Sequence, residues 1–374
     1  MKISTDRILT THPGSLPRPA SLTDRRDRHA VRHAVQEAVT KQLAAGIDVV
    51  NDGEMSKASY STYVTERLSG LGGPPVPVQR WGYENFPEYA RKTWGDGVSA
   101  RLSRVSSGSP SCDGPVSYID RSLLEADIAN LQAASAPGAA DLFMSAASPG
   151  VIAMFMSNRY YPSTEDYIGA LADAMKTEYD AIYQAGLVVQ LDCPDLACDW
   201  ARGERRSVAD FRRVVAQRIE ALDYATRDIP AEALRMHLCW GNYEGPHHND
   251  IPLADIIDLV LKARPMAVSF EAANPRHAHE WQLFEDVKLP DGKILVPGVL
   301  DSTTNYIEHP ELVAQRISRY AGIVGRENVM AGSDCGFGTF TSMVIVEPEL
   351  AWAKLAAMAE GARLASAQLW RGSR

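Results

Sequence analysis

No stretch of this 374-residue sequence offers the run of about 18 apolar residues that a membrane-spanning helix needs. The first residues, Met1 to Arg7, hold no apolar segment of the kind a secretion signal carries. Basic charge is in short supply: 38 Lys and Arg stand against 47 Asp and Glu, a net charge of −9. A nucleic-acid partner, which asks for a basic face, is therefore not expected. The one basic run, Arg202 to Arg206, contains Glu204 and reads as the solvated start of a helix. Cysteine is scarce and odd in number: Cys112, Cys193, Cys198, Cys239 and Cys335. Such a set argues against a disulfide framework and for a reducing compartment. Repeats and low-complexity tracts are missing too. The expectation is a soluble cytoplasmic protein with no membrane partner, for which a homo-oligomer is an open option.

What is present is a rhythm of short apolar runs and amphipathic stretches. Strands are expected near residues 8, 47, 142, 187, 234, 266, 294 and 328. Between them the pattern predicts helices over 21–45, 164–185 with Ser163 or Thr164 as N-cap, 208–227, 251–264, 310–324 with Pro310 at its first position, and 348–369. Strand–helix alternation of this kind predicts a parallel sheet, and eight such steps an α/β (β/α)8 barrel spanning residues 1–374. Residues 56–138 break the rhythm, with Gly70 to Pro77, Trp81, Phe86 and Trp94, and read as an insertion after the second strand with a hairpin near 115–119. An excursion of that length suits a lid or a subunit-contact arm. Ser148-Pro149-Gly150 reads as a turn.

Nearly every expected strand ends in polar groups: Ser15, Glu54, Ser148, Asp192, His237 with Cys239, Glu271, Asp301, and Asp334 with Cys335. In a barrel these ends meet at one mouth, where the chemistry is done. Residues i and i+2 of a strand face the same way, so His237 and Cys239 aim an imidazole and a thiol at one point. With Glu271 and Cys335 they make two sulfurs, one nitrogen and one carboxylate, a set that suits zinc. The competing reading is a buried strand with a core histidine and a small apolar cysteine. As ligands of a zinc ion the four would leave a charge of about −1, which quenches water activation but favours holding an incoming thiol as thiolate. The reaction class implied is alkyl transfer to sulfur.

These residues carry a resemblance. Thr11-His-Pro-Gly-Ser-Leu-Pro-Arg18, Gly46-Ile-Asp-Val-Val-Asn-Asp-Gly-Glu54, Gln190-Leu-Asp-Cys-Pro-Asp-Leu196, His237-Leu-Cys-Trp-Gly241, Ser269-Phe-Glu271 and Ser333-Asp-Cys-Gly336 resemble the catalytic domain of the cobalamin-independent methionine synthases. The likeness is closest to the epoxyalkane:coenzyme M transferase branch. It implies a barrel of the methionine synthase/uroporphyrinogen decarboxylase type, with His237, Cys239 and Cys335 as zinc ligands and Glu271 as a displaceable fourth. It implies Ser15, Glu54 and Asp192 as the residues that bind the amino-acid part of homocysteine. The activity implied is methyl transfer from a donor such as 5-methyltetrahydrofolate to homocysteine or a similar thiol. The alternatives are epoxide opening by a zinc thiolate and a non-enzymatic barrel with a structural metal. Two positions depart from the family pattern. Asp192-Cys193-Pro194 stands where the synthases carry Asp-Glu-Pro, and Asp301-Ser302-Thr303 where they carry an Asp-x-His proton-handling element. Asp301 and His247 are accordingly the candidates for proton handling, and Arg276 for an anionic substrate group.

Overall fold

The computed structural model describes residues 1–76, 85–94, 109–134, 137–202, 205–339, 341 and 344–371. Seven strands run parallel and in chain order: β1 (Val49–Val50), β2 (Asp141–Ala147), β3 (Val188–Asp192), β4 (Leu234–Leu238), β5 (Ala267–Phe270), β6 (Ile294–Leu300) and β7 (Gly332–Ser333). The eighth position is taken by Leu9–Thr11. The carbonyl of Thr10 accepts from Asp48 N and Val49 N, while Thr11 N donates to Ala331 O and Ala331 N to Leu9 O. One extended segment thus bonds to both ends of the sheet, and the barrel closes with no free edge. The expected eight-fold α/β architecture is the observed one.

Inside the barrel the side chains change character with height. Leu9, Val49, Phe143, Val188, Ala267, Ile294, Val296 and Met330 form a small apolar cluster of their own, the floor. The residues two places further along the same strands, Thr11, Asn51, Ser145, Gln190 and Ser269, are polar and buried. Residues of opposite parity, such as Leu191, Met236 and Val268, face the helices and join the main core. This is the two-residue strand period acting on a sheet covered on its outside.

The outer helices begin where short polar side chains can satisfy their first N–H groups. Ser163 accepts from Asp166 N ahead of Thr164–Gln184, and Ser207 accepts from Asp210 N ahead of Val208–Ala225. Pro310–Val324 and Pro348–Leu369 span their expected ranges, each with proline in the first turn. The first helix is shorter than expected, Arg28–Ala44, because Asp27 caps it with bonds from His29 N and Ala30 N. The stretch 251–264 forms only two short turns, Leu253–Asp255 and Ile257–Val260, closed by tight bonds such as Leu259 N to Ile256 O. Ser148-Pro149-Gly150 is not a turn but the capped start of a helix, Pro149–Phe155.

The excursion after β1 also differs from expectation. The run near 115–119 pairs not with itself but with residues 67–69, through the antiparallel bridge Leu68 to Tyr118, and Ser111 just before it bridges Gly73. Gly70 makes this approach possible: a Cβ there would meet Gly114 O at 2.4 Å. Ser122–Ala134, inside the span read as insertion, is the crossover helix from β1 to β2 and packs on Arg28–Ala44. Trp81 and Ser106 lie outside the described residues. Arg202 is buried against the Phe155 ring, not on a solvated helix start. Among the described residues no helix is long and apolar enough to cross a membrane.

Candidate metal centre and active site

β4 lifts His237 into the barrel axis, and the chain leaves the strand at Cys239; Cys335 follows β7 on the far side. One ligand atom from each of His237, Cys239 and Cys335 lies within 4.8 Å of the others, and all three residues are buried. Ligands of a tetrahedral zinc ion sit about 3.5–3.8 Å apart, so small side-chain rotations would bring these atoms onto one ion. His237 Nδ1 is 3.4 Å from Ser269 Oγ, while Nε2 is buried with no hydrogen-bond partner among the described residues. Burial, with Arg235 below, pushes the imidazole pKa down to about 3, so it is neutral and keeps a free lone pair. The Cys239 thiol is pushed well up by its hydrogen bond with Cys335, by burial and by the charge of Glu271. A neutral imidazole with an unused nitrogen, facing two hydrogen-bonded thiols, fits a divalent ion that displaces the thiol protons.

Glu271 stands beside this group but is not one of the three converging residues. Its Oε1 accepts from Trp240 N at 2.7 Å and its Oε2 from Asn274 Nδ2 at 2.7 Å. Burial lifts its carboxyl to about 7. Asn274 is itself held by Asp334, whose two carboxylate oxygens collect Ala272 N, Ala273 N, Asn274 N and Asn274 Nδ2. Asp334 therefore ties the Glu271 loop to the Cys335 loop. Asn242 does the same for two others, donating to Gly336 O and Thr339 Oγ1 while accepting from Ser302 Oγ. Asp334 is marked in the sequence only as a polar strand end, and Asn242 not at all, since an isolated Asn past a strand reads as turn chemistry.

A second polar group lies between the ends of β1, β2 and β3. Glu54, in a left-handed conformation (φ 59°), accepts from Ser145 Oγ at 2.7 Å. Its other oxygen is buried without a partner among the described residues, as is Asn51 Nδ2. Asp192 accepts from Gln190 Nε2 at 2.9 Å, and burial together with the Glu54 charge pushes its pKa well up. Gly14 borders the group; a Cβ there would come 2.8 Å from Glu54 Oε1. Ser15 packs against the Cys335 loop, with Phe337 N donating to its carbonyl at 2.7 Å. Gly336 is required by this contact, since its Cβ would fall 2.1 Å from Ser15 Oγ. The structure thus brings Ser15, Glu54 and Asp192 to one side of the mouth.

The other three candidates are placed differently. His247 (φ 49°) has both ring nitrogens engaged, Nδ1 by Asp250 Oδ2 at 2.8 Å and Nε2 by Tyr243 O at 3.1 Å. Burial works to lower its pKa, but the Asp250 carboxylate outweighs it and the net is upward. The same Asp250 oxygen meets His277 Nε2 at 3.2 Å, and Glu280 meets His277 Nδ1 at 2.8 Å. His277 stacks on Trp240 and is raised to about 10, its two carboxylates outweighing burial. Arg276 is exposed, and its Nε donates to His247 O. Asp301 turns into its own loop, where Oδ1 accepts from Thr303 N and Thr303 Oγ1. The excursion also reaches this rim: Tyr89 OH donates to Glu244 O at 2.6 Å, and Asn85 Nδ2 lies 3.0 Å from His248 Nε2.

Fold and site together define a closed (β/α)8 barrel that gathers an imidazole and two thiols at its C-terminal mouth. The chain belongs to the family described as cobalamin-independent synthase, catalytic domain, whose profile matches residues 112–362. It is 25% identical over 378 residues to the methionine synthase of Saccharolobus solfataricus, covering 97% of this chain and 96% of that protein. Against the methionine synthase of Sulfurisphaera tokodaii it is 26% identical over 375 residues, covering 96% and 93%. In structure it is similar to a B12-independent methionine synthase from Shewanella sp. W3-18-1 solved with selenomethionine, with a TM-score of 0.73, 20% identity and coverage of 98% and 99%. These relatives lend the epoxide-opening alternative no support.

Proposed function

We propose that this protein is a zinc-dependent thiol methyltransferase, moving a methyl group from a donor such as 5-methyltetrahydrofolate to homocysteine or a similar thiol. The observation that carries the metal is the approach of His237, Cys239 and Cys335 within 4.8 Å, with an unused imidazole nitrogen among them. These three would hold the ion, and Glu271, kept beside them by its bonds to Trp240 N and Asn274 Nδ2, would be the displaceable fourth ligand. Zinc bound here would keep a substrate sulfur as thiolate at neutral pH.

The rest is the work of the chain. Glu54 offers an unpartnered oxygen to the substrate ammonium, Asp192 a second acceptor, and Ser15 a hydroxyl to its carboxylate. His247, whose pKa the Asp250 carboxylate raises, is the donor of the proton for the leaving nitrogen, with Asp301 as the second group for handling that proton. Arg276 takes an acidic group of the donor at the rim. The chain forms one barrel domain, and the part of the excursion that carries Asn85 and Tyr89 serves as a lid over the loop after β4, through their contacts with His248 and Glu244. Metal analysis of the purified protein, with methionine formation from homocysteine and 5-methyltetrahydrofolate, tests this. One equivalent of zinc and turnover are expected; a metal-free, folded protein that methylates homocysteine would overturn it.

A further inference from the structure

Lys57 is 2% exposed, and its ammonium is sealed beneath the mouth. It donates to Ser145 O, lies 3.2 Å from Ser145 Oγ and sits 4.6 Å over the Tyr63 ring. Among the described residues no carboxylate comes within 4.0 Å of it. A buried ammonium without a contact ion pair carries a desolvation cost that a methionine of similar shape would avoid. The loop that carries it does not need the charge for its own shape. Arg18 already binds the carbonyls of Glu54 and Lys57, and Lys57 N donates to Glu54 O.

The charge has another use. Ser145 Oγ, in reach of the ammonium, donates to Glu54 Oε1 at 2.7 Å. With Nζ fixed on the Ser145 carbonyl, that hydroxyl has one free direction for its proton, toward Glu54. Glu54 is thereby held with its second oxygen open. The same cation also faces Asp192, whose carboxyl it draws down against the burial and the Glu54 charge that raise it. Two carboxylates converge here: the Lys57 charge, which also reaches Asp52, Asp127 and Glu178, acts on Asp192 directly, and Nζ reaches Glu54 through the Ser145 hydroxyl.

We propose that Lys57 is a positioning residue for the amino end of the substrate: acting through Ser145 and by its charge, it holds Glu54 and Asp192 in the arrangement that accepts a primary ammonium. This rests on the reading of Glu54 and Asp192 as the amino-acid subsite. It makes the protein selective for amino-bearing thiols over thiols of the same length that lack the amine.

The test compares binding of methionine, and of 4-(methylthio)butyrate, its analogue without the amine, to the holoenzyme by calorimetry. Wild type should prefer methionine by about 10–100-fold, the range of a charge-assisted hydrogen bond. Lys57→Met should bring the two ligands within about threefold and raise KM for homocysteine far more than it lowers kcat, whereas Lys57→Arg should restore most of the preference. Lys57→Met keeping the full preference, or losing both ligands equally, would overturn the proposal. Should Lys57→Met not fold, Ser145→Ala decides: it keeps the cation and cuts the hydroxyl link, and an unchanged preference refutes the route. A wild-type protein with no preference would instead bring down the amino-acid subsite itself, which separates the two failures.

Discussion

Two buried polar networks, one behind β1 and one at the barrel mouth, are built on opposite terms. In the first, Arg67 bridges Asp127 and Glu178, and Glu178 accepts from Tyr63 OH and Tyr118 OH. Among the described residues none of the side-chain polar atoms of Tyr63, Arg67, Asp127 or Glu178 is buried without a partner. In the second, at the mouth, Glu54 Oε2, Asn51 Nδ2, Gln190 Oε1 and His237 Nε2 are all buried and unpartnered. An unpaired buried polar atom costs about 1–3 kcal/mol, and here four of them gather at one opening. The saturated network locks the crossover helix and the excursion to the barrel. The open one leaves polar atoms that a bound substrate would satisfy.

The sharpest way to break this contrast is at the open end. Cys335→Ser should reduce bound zinc and methyl transfer on the order of 10³-fold while the chain stays folded, measured by metal analysis and turnover. Arg67→Met should do the reverse. Leaving Glu178 and Asp127 buried without their cation should cost about 3–5 kcal/mol in urea unfolding, yet leave KM of the folded fraction near wild type. Glu54→Gln should raise KM for homocysteine about 10–100-fold with little change in stability, because the lost bonds are to substrate and not to the protein. The smallest expected effect is a pH slope. The His277 pKa, raised from 6.5 to about 10, means the folded chain keeps a proton that the unfolded chain gives up. Its stabilisation is complete below about pH 6.5 and fades as the pH climbs toward 10. Urea melts of His277→Gln should lose that alkaline decline; an unchanged slope would assign it elsewhere.

The elements that the sequence disclosed well are those whose signal is local. Helices 164–184, 310–324 and 348–369 announce themselves by a cap or a proline and a 3.6-residue period. The strands show as β-branched and apolar runs, and their polar ends mark the mouth. His237 and Cys239 were legible because strand geometry alone puts them on one face. The misses share a cause. The run 115–119 finds its partner at 67–69, and pairing across so many residues leaves no periodic trace. Lys57 looks like any surface lysine until the fold buries it. Asp250 and His277 become one array only because two loops meet, and Asn242 and Asp334 matter for what they tie together.

The order of residues by itself marked eight strand positions with helices recurring between them, and put imidazole, thiols and carboxylates at strand ends. Both follow from short-range sterics and the two-residue strand period. Only closure of the barrel decided which of those ends become neighbours. It set Cys335 against Cys239, turned Asp301 into its own loop, and left Glu54 and His237 each with a bare polar atom. Those outcomes depend on distances between segments far apart in the chain, which packing creates and local pattern does not encode.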